Sequence, residues 1–379
     1  MGVHRPHAAL GIPEASGWRE HAMEEQYQFT ISEEERSARR AARIQARRLR
    51  QRARRRRLLL RSLVPAAALL GLFLWLAGQR TPAEEPEETG QLMTARAAEE
   101  DPGAKPAAEP EPPFSLLETD ATVHLEEEIS SGYAVLIDLD SGTVLAEKDS
   151  QTAVSPASMT KILTILVAAE QIGDLNDTAP VTQEITDYCF TNDCSVAGFL
   201  PGEEVPLGEL FYGAILPSGA DASLALANYT AGSQEAFVEL MNQKAAELGL
   251  SESARFSNCV GLYSEDNVCT VRDMALILKA AMDNELCRQV LTQKTFDIPP
   301  SQAHPEGIPL SNWFIRRIED HMPEGMEILG AKTGFINESG NCAASMAQDA
   351  SGRRFLCVTA QAGGVWPCIY DHVALYDMA

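Results

Sequence analysis

The sequence predicts an α+β domain, in which an antiparallel sheet of sequence-distant strands packs against a helical region, preceded by a single transmembrane helix. Three observations support this prediction. Strand-like segments stand at both ends of the C-terminal two thirds of the chain, a helical stretch separates them, and a long apolar span lies upstream. Strands on both sides of a helical middle favour one sheet assembled from the two ends of the domain.

The N-terminal part predicts a basic tail followed by a membrane anchor. Residues 1–62 contain 15 Arg, no Lys and 7 Asp or Glu, a net charge of +8, and the remaining residues carry −31, which gives the chain −23. Residues 58–78 are apolar apart from Arg61 and Ser62, and about 20 apolar residues cross a bilayer. The arginines before this span keep the N-terminus cytoplasmic. We therefore expect a largely disordered cytoplasmic tail at 1–57 and an uncleaved anchor at 58–78, whether translation starts at Met1 or Met23.

An arginine run can also bind nucleic acid. Directly before an apolar span, however, a topology signal that contacts anionic lipids is the better interpretation. An outer part with a charge of −31 repels phosphates. Nucleic acid is therefore not an expected partner.

The segment after the anchor predicts a stalk and then the folded domain. Residues 79–118 are rich in Glu, Pro and Ala, and such a segment cannot bury enough apolar area to fold. We assign 119–379 to an extracytoplasmic domain, which holds all eight cysteines. Cys189 with Cys194 and Cys259 with Cys269 are possible disulfides, and free thiols are the alternative. Clustered His and Cys-x-x-Cys are absent from the sequence, so a metal is not expected.

The helices and strands of the domain are predicted from the periodicity of apolar residues and from turn and cap residues. Two strands flank the turn at 139–142, a hairpin signal. Thr270 is the expected N-cap of one helix. The predicted strands are 133–138, 143–148, 327–333, 341–348 and 354–361; the helical section is 155–291, with helices at 222–231, 235–246 and 271–282, and a closing helix lies at 370–378.

Two short motifs predict the chemistry. Ser158 and Lys161 stand three residues apart at the start of an apolar helix, so that they share one face. A serine needs an adjacent base, and a lysine is a base only if burial or a second cation keeps it neutral. Lys332, followed by Thr333 and Gly334 on a predicted strand, is the candidate for that cation. We expect the helix and this strand to meet where the helical part contacts the sheet edge.

These motifs resemble those of the low-molecular-weight penicillin-binding proteins that act as serine D-alanyl-D-alanine carboxypeptidases. The resemblance covers about residues 128–379 and implies a DD-peptidase/β-lactamase-like fold. It depends on three stretches, 156–161, 216–222 and 330–340, and the second departs from the family pattern because Ala220 stands where relatives carry Asn. The family's all-β second domain is not expected, since the chain ends soon after the last strand.

The resemblance implies a role for each residue. Ser158 attacks the carbonyl between two D-alanines of a peptidoglycan stem peptide, Lys161 takes its proton, and Ser218 helps deliver that proton to the departing D-alanine. Lys332 and Thr333 recognise the terminal carboxylate. Gly334 and Phe335 complete the substrate-binding strand, where the N–H groups of Ser158 and Phe335 form the oxyanion hole. No cofactor is implied, and β-lactam antibiotics are expected as covalent inhibitors.

Two other functions remain open. A β-lactamase uses the same acylation, but no Glu-x-x-Leu-Asn stretch follows Ser218, which favours the peptidase. A non-catalytic wall-binding or scaffold protein is suggested by Ala220 and by the anchor and stalk. A Ser-His-Asp hydrolase is disfavoured because the sequence has no Gly-x-Ser-x-Gly elbow.

Overall fold

The computed structural model describes residues 114–379. The predicted tail, anchor and most of the stalk lie outside this range. Among the described residues, no helix is both long and apolar enough to cross a membrane. The last residues of the predicted stalk contact the domain, since the Leu117 N–H donates to the Gly142 carbonyl at 2.9 Å.

The architecture is a six-stranded sheet whose two faces carry helices. The strand order is β1-β3-β2-β10-β9-β8, and all neighbours are antiparallel except β1 and β3. The strands are β1 Val123–His124, β2 Tyr133–Asp138, β3 Thr143–Lys148, β8 Met326–Ile336, β9 Gly340–Asp349 and β10 Arg354–Ala362. The prediction of a sheet built from sequence-distant strands is confirmed, because β2 pairs with β10.

The helical region lies between β3 and β8 in the chain. Its helices are α1 Thr160–Gln171, α2 Gln183–Thr191, α3 Leu207–Ile215, α4 Ala220–Ala231, α5 Gln234–Glu247, α6 Val271–Asp283 and α7 Glu285–Leu291. Two more, α8 Trp313–Ile318 and α9 Val365–Tyr376, cover the other face of the sheet. Thr270 caps α6 as predicted, in a capping box with Asp273.

Alternation along the strands divides the core between the two faces. Val135 and Ile137 of β2 face the helical region, whereas Ala134 and Leu136 face α9. Successive side chains of a strand point to opposite faces, and β2 is buried on both. This explains why β2 reads as a continuous apolar run.

The structure differs from the predicted elements in three places. Two small ribbons were not predicted: β4 Thr178–Val181 with β5 Glu203–Pro206, and β6 Thr295–Ile298 with β7 Ile308–Ser311. Their strands have four residues and three contain proline, which weakens a strand signal. The closing helix begins at Val365 rather than at 370, because Pro367 is tolerated in a first turn. All eight cysteines are free thiols, so neither candidate disulfide is formed.

Candidate active site

Ser158 and Lys161 form a hydrogen-bonded pair at the start of α1. The Lys161 Nζ donates to the Ser158 Oγ at 3.0 Å. Ser158 lies in a 3-10 turn, Ala157–Met159, rather than in the first α-helical turn as predicted. The left-handed φ of Ala157, 48°, prevents the α-helix from extending upstream. The spacing of three residues nevertheless brings the two side chains together, as predicted.

The Lys161 amine is held in a buried pocket. Its side chain is fully buried, and this burial lowers the pKa of Lys161 to about 8. Desolvation disfavours the charged form of an amine, so the neutral form of Lys161 is far more populated at neutral pH than that of an exposed lysine. Of the two causes that the sequence offered, burial and a second cation, burial is the largest cause of this lowered pKa. The amine also donates to the Val260 carbonyl at 2.7 Å.

A turn built around Asn258 positions the Val260 carbonyl. The Asn258 Oδ1 accepts hydrogen bonds from the Gly261 N–H at 2.7 Å and from the Leu262 N–H at 2.9 Å. Gly261 has a φ of 81°, and a Cβ there would lie 1.9 Å from the Ala157 carbonyl oxygen, so only glycine fits. The role of this turn was not predicted. Its signal in the sequence is an asparagine three residues before a glycine.

Strand β8 brings Lys332 against the second motif. The buried Lys332 Nζ donates to the Ser218 Oγ at 2.8 Å and to the Thr333 carbonyl at 2.6 Å. Burial lowers the pKa of Lys332 well below that of an exposed lysine, and the charge of Lys161 lowers it further. The predicted meeting of helix and strand is therefore present, with both amines close enough to interact.

Gly334 permits close approach of β8 to the nucleophile. A Cβ at Gly334 would lie 2.9 Å from the Ser158 backbone nitrogen and 2.9 Å from the Ala157 Cβ. The absence of a side chain therefore lets the strand lie directly against the turn that carries Ser158. The residues on either side of Gly334, Thr333 and Phe335, are both exposed. Of the four strand positions predicted to bind substrate, Lys332 to Phe335, these two are exposed and the other two are buried.

The second motif is held by the loop that follows α2. Ala220 is buried at the start of α4, and its N–H donates to the Ser195 carbonyl at 2.8 Å. The buried Asp221 carboxylate accepts from the Ala197 N–H at 2.8 Å and from the Gly198 N–H at 3.0 Å. Asp221 therefore fixes the loop and does not replace the missing asparagine. Ser218 has a φ of 63°, an uncommon conformation that directs its hydroxyl to Lys332.

The site opens on a free strand edge. In the part of the chain that the structure describes, β8 pairs only with β9, so its other edge is unpaired beside Ser158. The backbone groups of such an edge can pair with an extended peptide. The arrangement combines a nucleophile, a buried base, a second amine–hydroxyl pair and a docking edge.

Comparison with known proteins agrees with this geometry. The sequence profile of peptidase family S11, described as D-alanyl-D-alanine carboxypeptidase, matches residues 119–363. The D-alanyl-D-alanine carboxypeptidase DacF of Bacillus subtilis is 36% identical over 172 residues, 45% of this chain and 43% of that protein. DacC of Escherichia coli is 40% identical over 154 residues, 38% of each chain. The chain thus matches less than half the length of these curated relatives.

Solved structures give the same assignment for the fold. The Streptomyces K15 DD-transpeptidase has a TM-score of 0.62 at 25% identity, and the match covers 67% of this chain and 98% of that one. A D-alanyl-D-alanine carboxypeptidase from Mycobacterium tuberculosis has a TM-score of 0.58 at 27% identity, covering 69% and 95%. The fold is the DD-peptidase fold, and this chain belongs to the D-alanyl-D-alanine carboxypeptidase family of serine peptidases.

Proposed function

We propose that this protein is a serine D-alanyl-D-alanine carboxypeptidase that removes the terminal D-alanine from peptidoglycan stem peptides through an acyl-enzyme on Ser158. The observation that carries the proposal is the 3.0 Å contact of the Ser158 hydroxyl with the buried Lys161 amine. The 2.8 Å contact of the Lys332 amine with the Ser218 hydroxyl supplies a second amine–hydroxyl pair in the same site. Membership of the family supports the same activity.

In the acylation step, the neutral Lys161 amine accepts the Ser158 proton while the Oγ attacks the carbonyl carbon before the last D-alanine. The oxyanion that forms accepts hydrogen bonds from the N–H groups of Ser158 and Phe335. A donor at such a position typically contributes about 3–4 kcal/mol to transition-state stabilisation. Gly334 is essential to this step because it lets β8 approach Ser158.

Acylation is complete when the C–N bond breaks: the Ser218 hydroxyl, in contact with Lys332, gives its proton to the departing amine and takes in return the proton that Lys161 accepted from Ser158. Water then attacks the ester carbonyl, the bond to the Ser158 Oγ breaks, and Ser158 regains a proton as the shortened peptide leaves with a free carboxylate. Lys332 and Thr333 bind the terminal carboxylate of the peptide. Since an opposite charge raises the pKa of an amine, the incoming carboxylate restores the charged form of Lys332 that burial disfavours.

The test is release of D-alanine from a peptide ending in D-Ala-D-Ala, with a Ser158→Ala control and labelling by fluorescent penicillin. D-Alanine release and a label that both depend on Ser158 support the proposal. Fast turnover of the penicillin indicates a β-lactamase instead. Absence of both release and label leaves the scaffold function.

We also propose that residues 58–78 anchor the protein in the membrane once, with a cytoplasmic N-terminus and the peptidase domain outside. The apolar span after an arginine-rich segment supports this topology. The test is protease treatment of intact protoplasts. Loss of the domain is the expected result, and full protection contradicts the topology.

A further inference from the structure

The face of α1 that carries Ser158 and Lys161 continues with a buried threonine. Thr164 lies three residues beyond Lys161, so that the three side chains share one face of the helix. Thr164 has no accessible surface, so a bound peptide cannot touch it. This threonine has no part in the chemistry described so far.

The Thr164 hydroxyl joins α1 to the turn that carries the Val260 carbonyl. A threonine inside a helix usually donates to the carbonyl four residues before it, and the Thr160 carbonyl lies 3.3 Å from the Thr164 Oγ1. The Cys259 carbonyl is closer, at 2.7 Å. Since a hydroxyl has one proton to donate, the shorter contact is the main hydrogen bond. Thr164 therefore binds the residue directly before the acceptor of Lys161.

The remaining bonds of the Asn258 turn fix its shape rather than its place on α1. The Asn258 side chain hydrogen-bonds only main-chain groups of residues 260–262, which belong to the turn itself. In the part of the chain that the structure describes, two hydrogen bonds join the turn to α1, and they come from Lys161 and Thr164. The turn is thus held against the helix by one titratable group and one hydroxyl.

The lysine changes its state during the proposed reaction, whereas the threonine does not. A neutral amine has two N–H groups and one lone pair, so an N–H on the Val260 carbonyl leaves the lone pair for the Ser158 proton. Once Lys161 has taken that proton it is charged, and its bond to the carbonyl becomes stronger. The carbonyl has to keep its place in both states. The Thr164 hydroxyl is the support on α1 that carries no charge in either of them.

We propose that Thr164 is a positioning residue: it holds the turn against α1 so that the Val260 carbonyl orients the Lys161 amine toward the nucleophile. This inference rests on the proposed acyl-enzyme chemistry, and it adds to that chemistry a residue that does not touch the substrate. A misplacement of about 1 Å in such an arrangement costs about a hundredfold in rate.

The experiment measures acylation by fluorescent penicillin in two variants of the full-length protein in detergent. Thr164→Val keeps the branched shape of the side chain and removes the donor. We expect its limiting rate of labelling to fall about ten- to a hundredfold, while the penicillin concentration at half-maximal rate changes less than about twofold. Thr164→Ser keeps the hydroxyl and should label within about threefold of the wild-type rate. The final extent of labelling measures the folded fraction, which separates a slow reaction from a lost fold.

The matched control is Thr230→Val, the same change at another helix position. The Thr230 hydroxyl donates to the Leu226 carbonyl of its own helix at 2.8 Å. Thr230 lies at the end of α4 that is away from the second motif. This variant should label at the wild-type rate.

A wild-type labelling rate in Thr164→Val overturns the inference. An equal loss in Thr164→Ser or in Thr230→Val also overturns it, because the loss then does not come from the missing hydroxyl at position 164.

Crystal structures of the two Thr164 variants measure the position directly. The 2.7 Å distance from the Lys161 Nζ to the Val260 oxygen should persist in Thr164→Ser and exceed about 3.5 Å, beyond hydrogen-bond reach, in Thr164→Val. An unchanged distance in Thr164→Val overturns the inference. Absence of D-alanine release in the wild type refutes the proposed function alone, since this distance still decides the role of Thr164.

Discussion

Acylation of Ser158 should depend on pH through the neutral form of Lys161. Burial lowers the pKa of Lys161 to about 8, so about a tenth of the amine is neutral at pH 7 and about half at pH 8. The second-order rate constant for labelling by fluorescent penicillin should rise about tenfold from pH 6 to 7, and about fivefold from pH 7 to 8. It should then level off. A rate that is flat from pH 6 to 8 refutes the assignment of Lys161 as the base.

A Lys332→Met variant separates the two explanations for the lowered pKa. If burial is the main cause, the midpoint of the profile stays well below 10 in this variant. A midpoint near the value of an exposed lysine shows that the Lys332 charge, as the sequence suggested, keeps Lys161 neutral. In the wild type the two amines interact, so the wild-type midpoint belongs to the pair, whereas the midpoint of the variant belongs to Lys161 alone.

Circular dichroism across the same range controls for unfolding. The folded pKa of Lys161 lies below the unfolded value, so the unfolded state binds more protons between about pH 8 and 10.5. The contribution of Lys161 to stability therefore rises with pH in that interval and is constant below it. A loss of labelling below pH 8 with an unchanged spectrum reports the base and not the fold.

Three substitutions test the surroundings of the pair. Asn258→Ala removes the acceptor that shapes the Val260 turn, and we expect kcat to fall about tenfold or more while KM changes little; an unchanged kcat contradicts the role of the turn. Gly334→Ala places a Cβ against Ser158, so the rate of penicillin labelling should fall at least about a hundredfold. The variant should still unfold in one cooperative thermal transition. Labelling at the wild-type rate contradicts the close approach of β8 to Ser158. Ala220→Asn should change the acylation rate less than about threefold, because the Val260 carbonyl already accepts a hydrogen bond from the Lys161 amine. A large increase in the rate shows instead that the missing amide limits turnover.

Much of the site could be predicted because its residues are encoded locally. Ser158 and Lys161 are one helical turn apart, so their contact follows from spacing alone. The resemblance placed Lys332 and Ser218, 114 residues apart in sequence, in one site, but their hydrogen bond was not predicted, because no local pattern carries such a contact. The Val260 acceptor was missed since a backbone carbonyl has no residue signature. The 3-10 turn at Ser158 was missed because the backbone of Ala157 is set by its contact with Gly261.

In the fold, too, the features encoded locally were predicted and those fixed by distant contacts were not. The strands around the hairpin and the N-cap at Thr270 were predicted because turn and cap chemistry is local. The four-residue ribbons were missed, since such short strands are fixed by their partners rather than by their own composition. The buried cysteines were left undecided in the sequence because pairing depends on distances that only the fold supplies.

The hydrogen bond from Lys161 to the Val260 carbonyl determines which substitutions this chain can accept near its candidate site. An amide side chain disappears with a single codon change, but a main-chain oxygen is present whichever amino acid occupies its position. A substitution at position 260 therefore does not remove the hydrogen-bond acceptor of Lys161, provided that the turn around Asn258 keeps its conformation. Substitutions that matter for this contact are therefore those of Asn258 and Gly261, because these two residues shape the turn that carries the carbonyl.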